Sequence, residues 1–235
     1  MQDELSLEAS GLATVRLVEG SWASYLQRAF ASFKDEGARH RIDGSKYLVQ
    51  RLKRTRPTTY SHCVRVARLA HATGQALGFD DMRLKQLGRA AMMHDIGKIL
   101  VPDSVLNRPR KPNRVERFVL DQHPTFGAML VSYFGLPSAL RIRTQYHHER
   151  WDGRGYPHKL EGEAIPQMAR IIQVADTFDA MTVERPYRKP ATRDEAVAEL
   201  RKEAGTQFDP QMVNAFLDAL SLRKANENIT AADLI

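Results

Sequence analysis

Residues 60–97 read YSHCVRVARLAHATGQALGFDDMRLKQLGRAAMMHDIG, and they decide the fold. Apolar side chains recur every three or four positions: Val66, Leu69, Ala70 and Leu77 in the first half, Leu84, Leu87 and Ala91 in the second. That spacing is the period of an α-helix, not the alternation of a strand. Gly78 separates the halves, Asp80 and Asp81 open the second, and Gly97 is expected to close it. His62 lies on the apolar stripe of the first helix, and His94 and Asp95 follow the stripe of the second. The pattern therefore turns three polar groups toward a core.

Working outward, the rest of the chain repeats this period, and the expected fold class is all-α. The helix over DGSKYLVQRLKRT should end before Pro57, because proline disfavours helical geometry in the residue ahead of it. Asn113, with Glu116 three residues on, reads as a capping box. Pro124 opens the next helix, and Ser138 is expected to cap SALRIRTQYHHER, with His147 and His148 at that helix's end. QMARIIQVADTFDAMT, TRDEAVAELRKEAG and DPQMVNAFLDAL read as the last three helices. One or two more are expected around Gly20. The chain divides into an N-terminal helical extension over 1–45, a main domain over 46–225 and a tail over 226–235.

Composition narrows the class. A chain of 235 residues with 43% hydrophobic and 27% charged residues suits a packed globular protein. The opening MQDELSLEAS has no basic region before an apolar run, and no apolar stretch approaches ~18 residues, so no secretory signal or membrane span is expected and the cytoplasm is the default. The single cysteine, Cys63, excludes an intramolecular disulfide and a thiolate-rich zinc site, and reads as a small core residue. The net charge of +7 suits an anionic partner such as a nucleotide. No zinc finger, aromatic RNA-reading motif or basic helix points to DNA or RNA.

A buried aspartate such as Asp95 needs a partner, because an isolated buried carboxylate costs several kcal/mol. A metal is one such partner. Asp176 and Asp179, taken alone, read as hydrogen bonders at a helix end. The set expected to be buried is His62, His94, Asp95, His123, His147, His148 and Asp176. Five imidazoles and two carboxylates exceed the needs of one ion and suit two ions sharing a bridging carboxylate. Ligation by nitrogen and oxygen favours iron, manganese or similar ions.

Six segments then carry a family pattern: SHCVRVA, HDIGKILVPDSVLN, QHPTFG, HHERWDGRGYP, VADTFDAMTVERPYRK and AGTQFDP, in that order. The chain resembles the HD-GYP phosphodiesterases, the branch of the HD phosphohydrolase superfamily that hydrolyses cyclic di-GMP. The resemblance implies a helical bundle around a buried binuclear metal centre of iron or manganese, with nickel as an alternative. It carries the ligand roles onto the same seven residues, with Asp95 bridging, and sets Lys98 beside the scissile phosphate. Arg185 and Arg188 match a nucleotide-binding pair, and Arg154 and Tyr156 join them as candidate substrate contacts. Tyr156 has two readings, stacking on a guanine or structural packing. Gly153 and Gly155 are expected to supply unusual backbone angles, and Glu149, Trp151 and Asp152 to be structural. Some members carry a glutamate where this chain has Thr58 and hold a third metal; here two are expected. The family's GYP loop also implies a docking surface for a signalling protein, and an oligomer stays open. Rival readings are a cyclic di-GMP receptor without turnover, and a hydrolase for another nucleotide, cyclic GMP-AMP included.

Overall fold

The computed structural model describes residues 22–37, 43–107, 110–184 and 189–222. The expected helix ahead of Gly20, the tail 226–235, Arg185 and Arg188 lie outside the described residues. In chain order the helices are α1 (Trp22–Gly37), α2 (Gly44–Thr55), α3 (Pro57–Ala76), α4 (Asp81–Met93), α5 (Asp103–Leu106), α6 (Arg114–Leu120), α7 (His123–Tyr133), α8 (Ser138–Gln145), α9 (Gln167–Thr182), α10 (Arg193–Lys202) and α11 (Pro210–Leu222). Two 3₁₀ turns, Ile96–Leu100 and Gly162–Ala164, complete them. Among the described residues there is no strand, only a bridge between Ala204 and Phe208. No helix among them is long and apolar enough to cross a membrane.

The long helix α3 is the axis. Pro57 opens it, where a missing N–H costs nothing. Its buried face of Cys63, Val66, Ala67, Leu69, Ala70 and Thr73 follows the helical period, and α2, α4, α9 and α11 pack around it. α1 joins the same core through Phe33, which is buried edge-on against Tyr47 and Phe134. The capping box of Asn113 and Glu116 opens α6, and Thr192 with Glu195 opens α10 in the same way.

Three expected boundaries are corrected. The α-helix of α4 stops at Met93, and the 3₁₀ turn, not Gly97, carries the chain onward. Pro137 holds the cap position of α8, so Ser138 is its first residue rather than its cap. α8 ends at Gln145, which leaves His147 and His148 in a turn beyond it. The cause is the same at α4 and α8. The last carbonyls of a helix lack intrahelical partners, and a histidine ring takes one of them: His94 Nδ1 donates to Ala91 O and His147 Nδ1 to Thr144 O, each at 2.7 Å.

The loop after His148 is stapled, not loose. Glu149 is wholly buried, and its two oxygens accept from the backbone N–H groups of His158 at 2.6 Å and Leu160 at 3.0 Å. Trp151 N–H and Asp152 N–H donate to the carbonyls of Gln207 and Thr206, tying the loop to the turn before α11. Gly153 has the positive φ that favours glycine, at 72°. Gly155 does not, which corrects the expectation of an unusual angle there. It is needed for space, since a Cβ would stand 2.3 Å from Arg150 N.

Gly97 is held by the same constraint more severely. A Cβ there would lie 1.9 Å from His123 O and 2.5 Å from Gly127 N, where the 3₁₀ turn meets α7. Overpacking of a close contact costs roughly 1–3 kcal/mol and occasionally more. Both neighbours are backbone and cannot rotate away, so Gly97→Ala should fall at or above the top of that range. A urea melt reads the loss, and an unchanged midpoint would contradict so close an approach.

Candidate metal centre

Seven ligand-type side chains converge where α3, α9 and the ends of α4, α6 and α8 meet. They form two halves. The ligand atoms of His62, His94 and Asp176 lie within 4.8 Å of one another, and so do those of His123, His147 and His148. Asp95 stands between the halves. Its Oδ2 lies 3.6 Å from His62 Nε2 and 3.5 Å from His94 Nε2, and its Oδ1 lies 3.1 Å from His123 Nε2. One carboxylate thus turns one oxygen to each half. Lys98, on the 3₁₀ turn, reaches the same Oδ2 at 2.5 Å. Asp176 Oδ1 is 3.0 Å from His62 Nε2.

The tautomers follow from the partners. A carbonyl oxygen only accepts, so a ring nitrogen bonded to it carries the proton. His94, His123 and His147 each give Nδ1 to the carbonyl three residues back, at 2.7 Å. Their Nε2 atoms therefore present lone pairs to the interior when the rings are neutral. His123 Nε2 and His147 Nε2 stand 3.2 Å apart with no proton between them in that state. His94 Nε2 and Asp95 Oδ1 are buried and have no hydrogen-bond partner. Buried lone pairs facing lone pairs cost free energy unless a cation sits among them. The partial negative charge at the ends of α4, α6 and α8 favours one in the same place. Nitrogen and oxygen donors in this number fit divalent metal ions.

The family model described as HD domain matches residues 46–212. The chain belongs to the HD domain family. All seven residues fall inside the HD domain's matched span. The chain is 38% identical over 196 residues to a Xanthomonas campestris protein named cyclic di-GMP phosphodiesterase response regulator RpfG, an alignment covering 81% of this chain and 51% of that one. It is 36% identical over 166 residues to 3'3'-cGAMP-specific phosphodiesterase 2 of Vibrio cholerae, covering 68% of this chain and 31% of the relative. Among solved structures, a cyclic GMP-AMP-specific phosphodiesterase of V. cholerae (V-cGAP3) has a TM-score of 0.58 at 21% identity, over 75% of this chain and 48% of that one, a likeness of fold. The chain spans about half or less of the length of the curated relatives it matches.

Around the HD domain's cluster the structure adds Arg65, which the sequence pattern did not single out, and gives Asp179 a partner. Asp179 is buried, accepts from His62 Nδ1 at 2.7 Å, and is itself gripped by Arg65 through Nε at 2.6 Å and Nη2 at 2.9 Å. It thus orients the fourth ring, turning His62 Nε2 inward; the hydrogen bonds expected of it near the end of α9 go to side chains of α3. The signal was available: Asp179 follows Asp176 by three residues and Arg65 follows His62 by three, so each pair shares a helix face. Tyr156 stacks on His148 with centroids 4.9 Å apart and planes at 23°, so one of its faces is committed to packing. Arg154 is exposed on the same loop, and Thr58 is exposed at the start of α3.

Burial opposes charge on His62, yet the carboxylates of Asp176, Asp179 and Asp95 outweigh it and push its pKa up to about 9. Burial and the His123 charge push His148 down to about 3. Burial also lowers His94 and, with the neighbouring rings, holds His147 well below the imidazole range. Burial would raise Asp95, but Lys98 and the imidazoles of His94 and His123 keep its carboxyl well below the usual range. His94, His147 and His148 are therefore neutral and Asp95 is ionised at ordinary pH, as metal ligation needs, whereas His62 carries a proton that a bound cation would have to displace.

Stability of the chelator-treated protein follows by linkage. Below the ordinary histidine value of 6.5, unfolded His148 takes up a proton that the folded state refuses until about 3, so stability falls as pH drops through that window. The stability from His62 is complete below 6.5 and is lost as pH rises through about 9. Thermal melts should therefore peak near pH 6.5 and decline on both sides. A flat profile would contradict these environments.

Proposed function

We propose that the chain hydrolyses cyclic di-GMP to the linear dinucleotide in a reaction that depends on two divalent cations, as the HD-GYP branch of the family does. The observation that carries this reading is Asp95, with one oxygen turned to each of two three-ligand halves. Identity of 38% to a relative named as a cyclic di-GMP phosphodiesterase supports the substrate class. In this reading His62, His94 and Asp176 would hold one cation and His123, His147 and His148 the other, with Asp95 shared between them. Exposed Thr58 offers no anchor for a third. Iron or manganese suits the donor set, with nickel as the alternative. Such a pair, when bound, supplies Lewis-acid stabilisation of the phosphate and an activated water.

The remaining work belongs to side chains. Lys98 sets a positive charge beside Asp95, where negative charge develops on the phosphate oxygens. Its ammonium stays charged, because Asp95 raises its pKa against the pull of burial. Asp179 and the three main-chain carbonyls hold the rings so that no reorganisation is needed on substrate entry. Arg154, exposed on the loop that follows His148, is assigned to the nucleotide with Arg185 and Arg188, where a guanidinium fork suits phosphate or guanine edges. The face of Tyr156 away from His148 is assigned to a base, and the GYP loop to docking of a signalling protein.

A second reading, cyclic GMP-AMP as substrate, is favoured by the 36% identity to the V. cholerae relative named for it. Incubating the protein with each dinucleotide and Mn²⁺ or Fe²⁺, followed by chromatography, separates the two. Binding without product would make the chain a receptor and end the hydrolase reading. Asp95→Ala should abolish metal retention and turnover together. Turnover by that variant after chelation would refute the mechanism. Asp179→Asn keeps all seven proposed ligands and should lower metal affinity ~10–100-fold, the usual cost of losing an outer partner of a ligating histidine.

A further inference from the structure

Cys63 has no part in the roles above. It is the chain's single cysteine, it follows His62 on α3, and it is wholly buried. Neighbouring helical residues point about 100° apart, so while His62 faces Asp176, Cys63 turns to the end of α4. There its Sγ, a ring nitrogen of His94 and a carboxylate oxygen of Asp95 all lie within 4.8 Å of one another, and all three residues are buried. Independently of the cysteine, His94 is 0% exposed and its Nε2 has no hydrogen-bond partner, and Asp95 Oδ1 is likewise unmet. The cluster is thus not limited to nitrogen and oxygen: a sulfur stands at its edge, beside His94, whose Nε2 is buried and unmet, and Asp95.

We propose that Cys63, His94 and Asp95 form a site for one thiophilic divalent cation, of the class of zinc and cadmium. The proposal rests on the reading of His94 and Asp95 as cation ligands. Zinc bonds of about 2.3 Å to sulfur and 2.0–2.1 Å to nitrogen allow two ligand atoms on one ion to stand at most about 4.4 Å apart. At the tetrahedral angle the same bonds set the two atoms about 3.6 Å apart, so the trio closes with side-chain shifts of up to about 1 Å. On binding, the S–H bond breaks, its proton leaves to buffer, and the sulfur lone pair forms the metal bond. Asp95 is ionised and His94 Nε2 carries its lone pair already, so no other proton moves. A thiolate selects soft and borderline ions over manganese, which prefers oxygen and nitrogen. Because the site uses Asp95 and His94, an ion held there excludes the bridged pair. Thiophilic ions would then compete with the ions that the seven-ligand set holds.

The test uses the full chain, stripped with a chelator and titrated with Cd²⁺ while the thiolate-to-cadmium charge-transfer band is followed in the ultraviolet. No second cysteine exists to give that band, so the wild-type protein is decisive even if a variant fails to fold. One equivalent of Cd²⁺ should bring the band to saturation, and Cys63→Ser should lose it. Cd²⁺ binding without the band overturns the proposal, and so does failure of Cd²⁺ to bind. A parallel Mn²⁺ titration of the wild type separates the two readings. Mn²⁺ binding with no cadmium band defeats the cysteine site alone. Absence of both defeats the ligand reading beneath it.

Discussion

Two imidazole nitrogens, His123 Nε2 and His147 Nε2, face each other at 3.2 Å inside a closed core. Each ring has its proton on the far side, held by a carbonyl that can only accept. With both rings neutral, the near sides are left with lone pairs and no donor between them. Close by lie Asp95 Oδ1 and His94 Nε2, also buried and also unmet. Such an arrangement costs free energy by itself and is stable only around positive charge. The surrounding helices have to be stiff enough to impose it.

Helix ends do most of the imposing. α4, α6 and α8 each terminate where a histidine ring takes an otherwise orphaned carbonyl. One bond thereby finishes the helix, fixes the ring's tautomer and turns its free nitrogen inward. α3 and α9 contribute from their middles instead, so their groups need side-chain braces: Arg65 grips Asp179, and Asp179 holds His62. The loop beyond His148 is closed by Glu149 and fastened to the segment before α11. That fastening gives AGTQFDP, remote from the cluster in sequence, a physical reason to belong to it.

Helical period made the framework legible. α9 spans Gln167–Thr182 as its apolar spacing indicates, and the capping box at Asn113 and Glu116 is formed. His62, His94 and Asp95 could be picked out because polar groups on apolar stripes are rare and must turn toward one another; the family pattern carried the rest of the seven. What escaped was set by contacts between distant segments. The ends of α4 and α8 depend on a ring reaching a carbonyl, which no window of sequence displays. Gly155 was given an angular role, when its need comes from the backbone of Arg150 pressing on it. Asp179 was undervalued because its partners lie more than a hundred residues away, although its spacing from Asp176 marked the shared face. Cys63 did prove to be a core residue; which groups it lies against only the fold displays.

The carbonyl anchors have a consequence for how this architecture withstands genetic drift. Every amino acid supplies the same main-chain oxygen, so no point mutation at Ala91, Leu120 or Thr144 deletes an anchor. Aim is inherited with the coil itself, while the braces on His62 are ordinary side chains open to loss. Lineages abandoning the chemistry should erode first at Asp179 and Arg65, and keep three well-aimed rings long afterward.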